Sequence, residues 1–87
     1  MKIVYTKHAL EKFKELELEG WFIKKDKIYR IIRNPRWKGL TREGQETAIS
    51  LVDQKHIIRI VLRGEKGGII RVITFHLGRR GKYESTL

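Results

Sequence analysis

The sequence predicts an α+β domain with the element order β-α-α-β-β-β, in which two helices pack on one face of a mostly antiparallel sheet. Three observations predict this class. A short β-branched and aromatic run, Lys2–Tyr5, opens the chain. Two segments with helical spacing of apolar residues follow, and alternating, isoleucine-rich segments fill the second half. Because 87 residues make one domain, residues 1–87 are expected to form a single domain with a basic, flexible tail from about residue 77.

The first helix is expected to begin after Thr6, because a threonine hydroxyl can accept an N–H group of the first helical turn. Gly20 is typical of a helix end. The second helix is predicted over Lys25–Arg33, and Asn34-Pro35 ends it because the residue before a proline resists helical geometry. The residues expected to face the core from the helices and the joint between them are Ala9, Leu10, Phe13, Leu16, Trp21, Phe22, Ile23, Ile28, Ile31 and Ile32.

The second half of the chain predicts a meander of three antiparallel strands. Gln54-Lys55 can form a tight turn, and the glycine-rich residues 64–68 read as a hairpin loop. Residues 36–45 are expected to be a loop that can contribute a short extended piece. The predicted strands are residues 46–53, 56–63 and 69–76.

Positive charge dominates the C-terminal third. The chain has 20 Lys and Arg against 10 Asp and Glu, a net charge of +10, and Glu65 is the one acid between residues 54 and 83. A field of one sign attracts and steers a polyanion. The alternative is a charged surface that serves solubility or heat adaptation, which suits residues 1–34 better. The cations of this region are Lys55, Arg59, Arg63, Lys66, Arg71, Arg79, Arg80 and Lys82.

Several classes of function are disfavoured by what the sequence lacks. With no cysteine, neither a disulfide framework nor a thiolate metal site is available. No histidine pair has the H-x-x-x-H spacing of a zinc site, so neither a metal nor another cofactor is expected. No apolar run has the length of a membrane span or signal peptide. A cytoplasmic protein without membrane contact is therefore expected.

Strand alternation predicts which side chains share a face of the sheet. In the strand over residues 56–63, His56 should point with the apolar residues toward the helices. In the last strand, His76 should share a face with Ile70, Val72 and Thr74. The opposite, open face should then suit single-stranded RNA, since guanidinium groups bind phosphate and Phe75 can stack on a base. A partner protein or a second copy of the chain is the alternative occupant. That face is predicted to carry Arg59, Arg63 and Arg71 among Ile57, Val61, Ile73 and Phe75.

The predicted turns also bring candidate catalytic residues together. If both turns have the lengths given above, Asp53, His56 and His76 meet at one rim of the sheet. RNA cleavage through the 2′-hydroxyl needs a proton acceptor, cations on the phosphate and a proton donor, and histidine suits either proton role near neutral pH. The candidate catalytic residues are His76, His56 and Tyr83. The alternative is that the histidines are ordinary hydrogen-bonding residues at strand ends.

Short motifs along the chain resemble a known family. The opening Thr6-Lys7-His8-Ala9, the helix end at residues 34–35 and the strand Val72-Ile73-Thr74-Phe75 before a basic, tyrosine-containing tail resemble short prokaryotic proteins that open with T-x-H-A. That family looks like a branch of the RelE/ParE toxin fold, to which BrnT-type ribonuclease toxins also belong. One departure is Lys12, with Glu19-Gly20, where the family has the arginines of R-x-x-x-R-G.

The resemblance implies a β-α-α-β-β-β toxin fold, RNA cleavage that blocks translation, and neutralisation by an antitoxin. It places the family's opening histidine at His8 and its basic tail at Arg79, Arg80, Lys82 and Tyr83. The sequence thus predicts a toxin-like protein that binds RNA or the ribosome, and it makes a metal-independent endoribonuclease the candidate activity. A non-catalytic nucleic-acid-binding module and a protein-interaction domain that forms a homodimer are the alternatives.

Overall fold

The sheet and its two helices have the predicted α+β class. The computed structural model describes residues 1–81. The strands have the spatial order β1-β5-β4-β3-β2, and β1 runs parallel to β5 while the other neighbours are antiparallel. The elements are β1 (Lys2–Tyr5), α1 (Lys7–Leu18), α2 (Lys25–Arg33), β2 (Trp37–Leu40), β3 (Glu46–Leu51), β4 (His56–Glu65) and β5 (Ile69–Arg79).

The order differs from the prediction by one strand. Residues 37–40, expected in a loop, form β2 by pairing with β3 along the edge of the sheet. The bounds of the last three strands also differ from the prediction. Strand β3 ends earlier, at Leu51, whereas β4 and β5 extend further, to Glu65 and Arg79. Residues 77–79, expected in the flexible tail, are therefore part of β5.

The core lies between the helices and one face of the sheet. Phe13 of α1 stands between two other rings, with its centroid 5.5 Å from Tyr5 and 4.8 Å from Phe75. Two residues predicted in the core are exposed: Leu10 lies beside the apolar stripe of α1, and Phe22 points outward from the helix–helix joint. The buried cluster contains Ala9, Leu16, Ile23, Ile28, Ile31, Ala48, Ile58, Ile60, Leu62, Val72 and Phe75.

Thr6 connects the start of α1 to β5. Its Oγ1 accepts a hydrogen bond from the Ala9 amide at 3.0 Å, as the capping prediction requires. The same hydroxyl donates to the Ile73 carbonyl oxygen at 2.7 Å. Because one side chain caps the helix and bonds the strand, the first turn of α1 is held at a defined point along β5.

A β-bulge at Ile73 changes which β5 side chains face the helices. Leu62 pairs with Val72 but Val61 pairs with Thr74, so Ile73 is an extra residue and the alternation is shifted beyond it. The predicted face was therefore wrong for the second half of the strand. Phe75 points into the core, where it is fully buried, whereas Thr74 and His76 share the other face.

The observed register also separates the two strand histidines. Glu65 pairs with Ile69, so the hairpin loop is shorter than predicted. The shorter loop and the bulge together place His56 opposite Arg79 and His76 opposite Arg59. At the other turn, the Val52 amide donates to the His56 carbonyl oxygen at 3.0 Å, which leaves residues 53–55 as a three-residue connection. Of the predicted site of Asp53, His56 and His76, the meeting of Asp53 and His56 is confirmed, since His56 Nδ1 lies 3.0 Å from Asp53 Oδ1. The place of His76 in this site was wrong, because one residue is added by the bulge and two by the hairpin register.

Candidate functional site

Candidate functional residues surround the C-terminal half of β5. β1 pairs with β5 over residues 69–72, and beyond this point β5 has β4 on one side while α1 packs against it. Two concave sites lie there. The first, the α1–β5 groove, is lined by Lys12, Glu15, Leu16, Glu19, Arg59, His76 and Leu77. The second, the turn pocket, is lined by Gln54, Lys55, His56, Arg79, Arg80 and Gly81.

His76 is half-buried in the α1–β5 groove among cations. Burial is the main cause that lowers the pKa of His76 below its ordinary value, since the charged imidazole loses hydration. The positive charges of Lys12, Arg59 and His8 lower it further. The imidazole of His76 is therefore mostly neutral at pH 7, and a neutral imidazole can accept a proton.

The α1 side of the groove is one stripe of the helix. His8, Lys12, Glu15 and Glu19 follow the helical spacing that places side chains on a common face. The Lys12 Nζ is 3.5 Å from a carboxylate oxygen of Glu15, and the Lys12 side chain is mostly shielded from solvent. The groove therefore offers both cations and carboxylates beside the His76 ring.

Asp53 organises the turn pocket. Its Oδ1 accepts hydrogen bonds from the amides of Lys55 at 2.7 Å and His56 at 2.8 Å, and the His56 Nδ1 lies 3.0 Å from the same oxygen. The Lys55 amide is the main cause that lowers the pKa of Asp53, followed by the His56 ring. The His56 ring also packs edge-on against Trp21 with centroids 4.8 Å apart. His56 is thus fixed by a carboxylate and an indole.

Strand pairing places the basic residues of the turn pocket. Arg79 stands opposite His56 at the end of β5. The Arg80 amide donates to the Lys55 carbonyl oxygen at 2.8 Å, which holds the chain after β5 against the β3–β4 turn. Of the residues within the described range 1–81 that line the turn pocket, three are cations (Lys55, Arg79 and Arg80) and none is an acid. A site for an anion has such an excess of positive charge.

Two of the predicted phosphate ligands are engaged elsewhere. The Arg71 Nε donates to Glu65 Oε2 at 2.8 Å, and Arg63 Nη2 donates to the same oxygen at 3.0 Å. Hydrogen bonds from Arg71 first, and Arg63 second, lower the pKa of Glu65 to about 2. This network lies near the hairpin loop, at the opposite end of β5 from the two concave sites. Binding of RNA by Arg63 and Arg71 stays a prediction.

The predicted open face with aromatic and aliphatic contacts was wrong. Phe75 is fully buried against Phe13 and cannot stack on a base. Ile57 and Val61 are also buried, because β4 is the central strand and its side chains have neighbours on both flanking strands. This result removes three of the four apolar residues that were expected to form a homodimer surface.

The structure identifies two α1 residues whose electrostatic effect on His76 was missed from the sequence. Lys12 was noted as a departure from the family pattern, and His8 as the opening histidine of that pattern, yet both act electrostatically on His76. The four-residue spacing of His8 and Lys12 was the available signal, since it places them on one helix face. Lys82 and Tyr83, expected in the basic tail, lie outside the described residues 1–81.

No family model, no curated protein and no solved structure matches this chain. Over residues 1–81, no three His, Cys, Asp or Glu side chains are grouped so that they could hold a metal ion. In the same range, no helix has the length and apolar character needed to cross a membrane.

Proposed function

We propose that this protein binds RNA at the C-terminal half of β5, with the turn pocket as the principal phosphate-binding site. The observation that carries the proposal is the pairing of Arg79 with His56 beside Lys55 and Arg80, all within one concave site. Cations held by a strand pair and a turn need little reordering to meet a phosphate. Arg59, in the adjacent groove, extends the basic region along β4.

RNA is favoured over other polyanions because histidines stand beside the cations. A groove that only attracts phosphate needs fixed positive charge, whereas His76 is a titratable group with a lowered pKa between Lys12 and Arg59. Such perturbed groups are enriched where proton transfer occurs. Each nucleotide of RNA carries a 2′-hydroxyl. A side chain that acts as a general base can remove the proton of this hydroxyl, and its oxygen can then attack the neighbouring phosphate.

The second candidate function is therefore metal-independent endoribonuclease activity, in a toxin-like protein of the RelE/ParE type. Its support is the resemblance carried by Thr6 and His8, together with the helix pair that precedes the antiparallel strands. Thr6 caps α1, so the threonine of the opening motif has a structural role at the start of the helix. An antitoxin that covers the basic region and a cytoplasmic site of action belong to this proposal.

Purified protein incubated with total RNA in EDTA, then analysed on a denaturing and a native gel, tests both functions. RNA fragments on the denaturing gel support the ribonuclease, and retardation of intact RNA on the native gel supports binding alone. RNA that is neither cut nor retarded contradicts both. Light scattering of the same sample measures whether the chain forms a homodimer.

Expression in cells tests the toxin-like role separately. Induction of the wild-type gene is expected to arrest growth and lower translation, and His76→Ala is expected to relieve the arrest. A Lys14→Ala variant, changed on the side of α1 away from the groove, should remain as toxic as the wild type. Normal growth at full expression of the wild type would contradict this role.

A further inference from the structure

We infer that a second phosphate-binding site, the α2 pocket, holds the same RNA strand on the other side of the β3–β4 turn from the turn pocket. The inference rests on the proposed function and extends its binding site. The substrate class is single-stranded RNA long enough to cross the turn. Four side chains of α2 and two residues at the end of β3 line the α2 pocket: Lys27, Tyr29, Arg30, Arg33, Ser50 and Leu51.

The charged side chains of the α2 pocket are all positive. Lys27, Arg30 and Arg33 follow one another at three-residue intervals, so each is the neighbour of the next on the helix surface. Within the described residues 1–81, no acid lines this pocket, and none of these three cations forms an ion pair. A concave site with three cations and no acid attracts an anion.

The dipole of α2 accounts for only part of this charge. Arg30 and Arg33 lie in the last turn of the helix, where the negative end of the dipole favours a cation. Lys27, however, lies in the first turn, where the positive end opposes a cation. Its side chain is also partly buried, which costs hydration of the charge. A bound phosphate compensates both costs, whereas helix stability explains neither.

Tyr29 gives the α2 pocket an aromatic surface for a base. Its side chain is exposed, and the guanidinium carbon of Arg33 lies 5.9 Å from the centre of its ring. Arg33 Nη1 also donates to the Tyr29 hydroxyl oxygen at 3.5 Å. Aromatic rings beside arginine are a common means of binding single-stranded RNA, because the ring stacks on a base while the cation meets the backbone. The pair therefore favours a nucleotide over a simple anion.

The β3–β4 turn connects the α2 pocket to the turn pocket. Leu51 lines the α2 pocket and pairs with Ile57, the residue after His56. His56 and its partner Arg79 line the turn pocket, so both sites lie at the same end of the sheet. Because neighbouring strands are about 4.8 Å apart, Leu51 on β3 and Arg79 on β5 are separated by roughly 10 Å. One RNA strand can bridge this distance.

Asp53, in the turn between the two sites, is an acid that could repel the RNA. Its Oδ1 accepts hydrogen bonds from the amides of Lys55 and His56, and the His56 Nδ1 lies 3.0 Å from the same oxygen. The carboxylate is therefore compensated within the turn itself, and three cations lie on each side of it.

The test measures the affinity of single-stranded RNA oligomers of increasing length over a range of salt concentrations. Lys27→Gln/Arg30→Gln is compared with the wild type and with Lys14→Gln/Lys24→Gln, which removes two cations that line neither pocket. Wild-type affinity should rise with length until the RNA reaches both sites, and the Lys27→Gln/Arg30→Gln variant should lack the last part of this rise. With the longest oligomer, its salt dependence should fall in slope by up to about 1.4, whereas the control should match the wild type.

Tyr29→Ala tests the contact with a base. Loss of one stacked base should raise the dissociation constant of the longest oligomer at least about fivefold. Phe22→Ala removes another exposed ring, one that does not line the pocket, and should leave the dissociation constant unchanged. Thermal unfolding close to that of the wild type in both variants shows that the fold is retained.

The outcomes separate this inference from the proposed function. If the wild type binds RNA and Lys27→Gln/Arg30→Gln shows the same length and salt dependence, the α2 pocket is overturned while the turn pocket stands. An equal loss of affinity in Lys14→Gln/Lys24→Gln would also overturn it, because net charge alone would then explain the effect. A wild type that binds RNA of no length would contradict the proposed function and the inference together.

Discussion

The pKa of His76 is lowered by the surroundings of its ring. Arg59 from β4 and Lys12, Glu15 and Glu19 from α1 line the same groove, and the charge of His8 also acts on the ring. Burial and the nearby positive charges both favour the neutral imidazole. The sequence predicted His76 as a catalytic residue, but could not give this environment, because it depends on how α1 lies against β5.

Removal of the Lys12 charge should raise the pKa of His76. The ammonium group opposes protonation of the imidazole, so Lys12→Gln is expected to move the His76 titration toward its ordinary value. NMR titration of the imidazole resonances measures the shift directly. Lys14→Gln changes the same helix on its other side and should leave the curve in place. An unchanged or lower pKa in Lys12→Gln would contradict the position of Lys12 in the groove.

Glu65 should make stability depend on acid pH. Its pKa is about 2 in the folded chain, below the ordinary 4.5, because Arg71 and Arg63 donate to it. A lowered folded pKa stabilises the fold above about pH 4.5, and this contribution is lost as the pH falls toward about 2. Glu65→Gln should therefore reduce the free energy of unfolding at pH 7 and remove part of its decline in acid.

Urea unfolding at a series of pH values measures this effect. Glu11→Gln, on the exposed side of α1, serves as the matched control and should retain the wild-type pH dependence. A Glu65→Gln curve parallel to that of the wild type between pH 5 and pH 2 would contradict the ion-pair network.

At the scale of elements, the helices were predictable and the last strand was predictable only in part. The α2 bounds and the Thr6 cap follow from local chemistry, since a hydroxyl cap and a residue before proline act within one turn. The bulge at Ile73 has no such signal, because β-branched residues precede and follow it. At the bulge, the Ile73 carbonyl oxygen accepts a hydrogen bond from Thr6, which is 67 positions away in sequence.

Strand β2 illustrates the same limit at the sheet edge. Its four residues include Gly39 and alternate weakly, so they predict a loop. They form a strand because β3 offers an unpaired edge beside them. Pairing of this kind is a property of the assembled sheet and is not encoded in a short segment alone.

Phe75→Ala tests the corrected face of β5. A phenylalanine in the core should cost about 3–5 kcal/mol of unfolding free energy when truncated, which a domain of this size cannot easily lose. Phe22→Ala is the matched control, because Phe22 is 73% exposed and its removal should change stability by no more than about 0.5 kcal/mol. Chemical denaturation compares the two. If both substitutions changed the free energy of unfolding by equally small amounts, the burial of Phe75 would be contradicted.

Over the whole molecule, net charge favours a polyanion as the partner, which stays a prediction, and the sequence places that charge in the C-terminal third. The value of +10 includes Arg63 and Arg71, which Glu65 already engages. The structure concentrates the candidate phosphate ligands instead at the other end of β5, around Arg59 and Arg79. Burial of Ile57 and Val61 likewise moves the candidate surface from the centre of the sheet to the end of its last strand.

The most direct test of RNA binding at this place is the salt dependence of affinity for a labelled single-stranded RNA. Wild type, Arg59→Gln/Arg79→Gln and the charge-matched control Lys14→Gln/Lys24→Gln are compared over a range of salt concentrations. A plot of the logarithm of the association constant against the logarithm of the salt concentration has a negative slope, and each lost phosphate contact should reduce its magnitude by about 0.7. With RNA bound at this place, the arginine variant should bind more weakly and show a slope smaller in magnitude by up to about 1.4, whereas the control should stay close to the wild type. Equal affinities and slopes in all three proteins would contradict it.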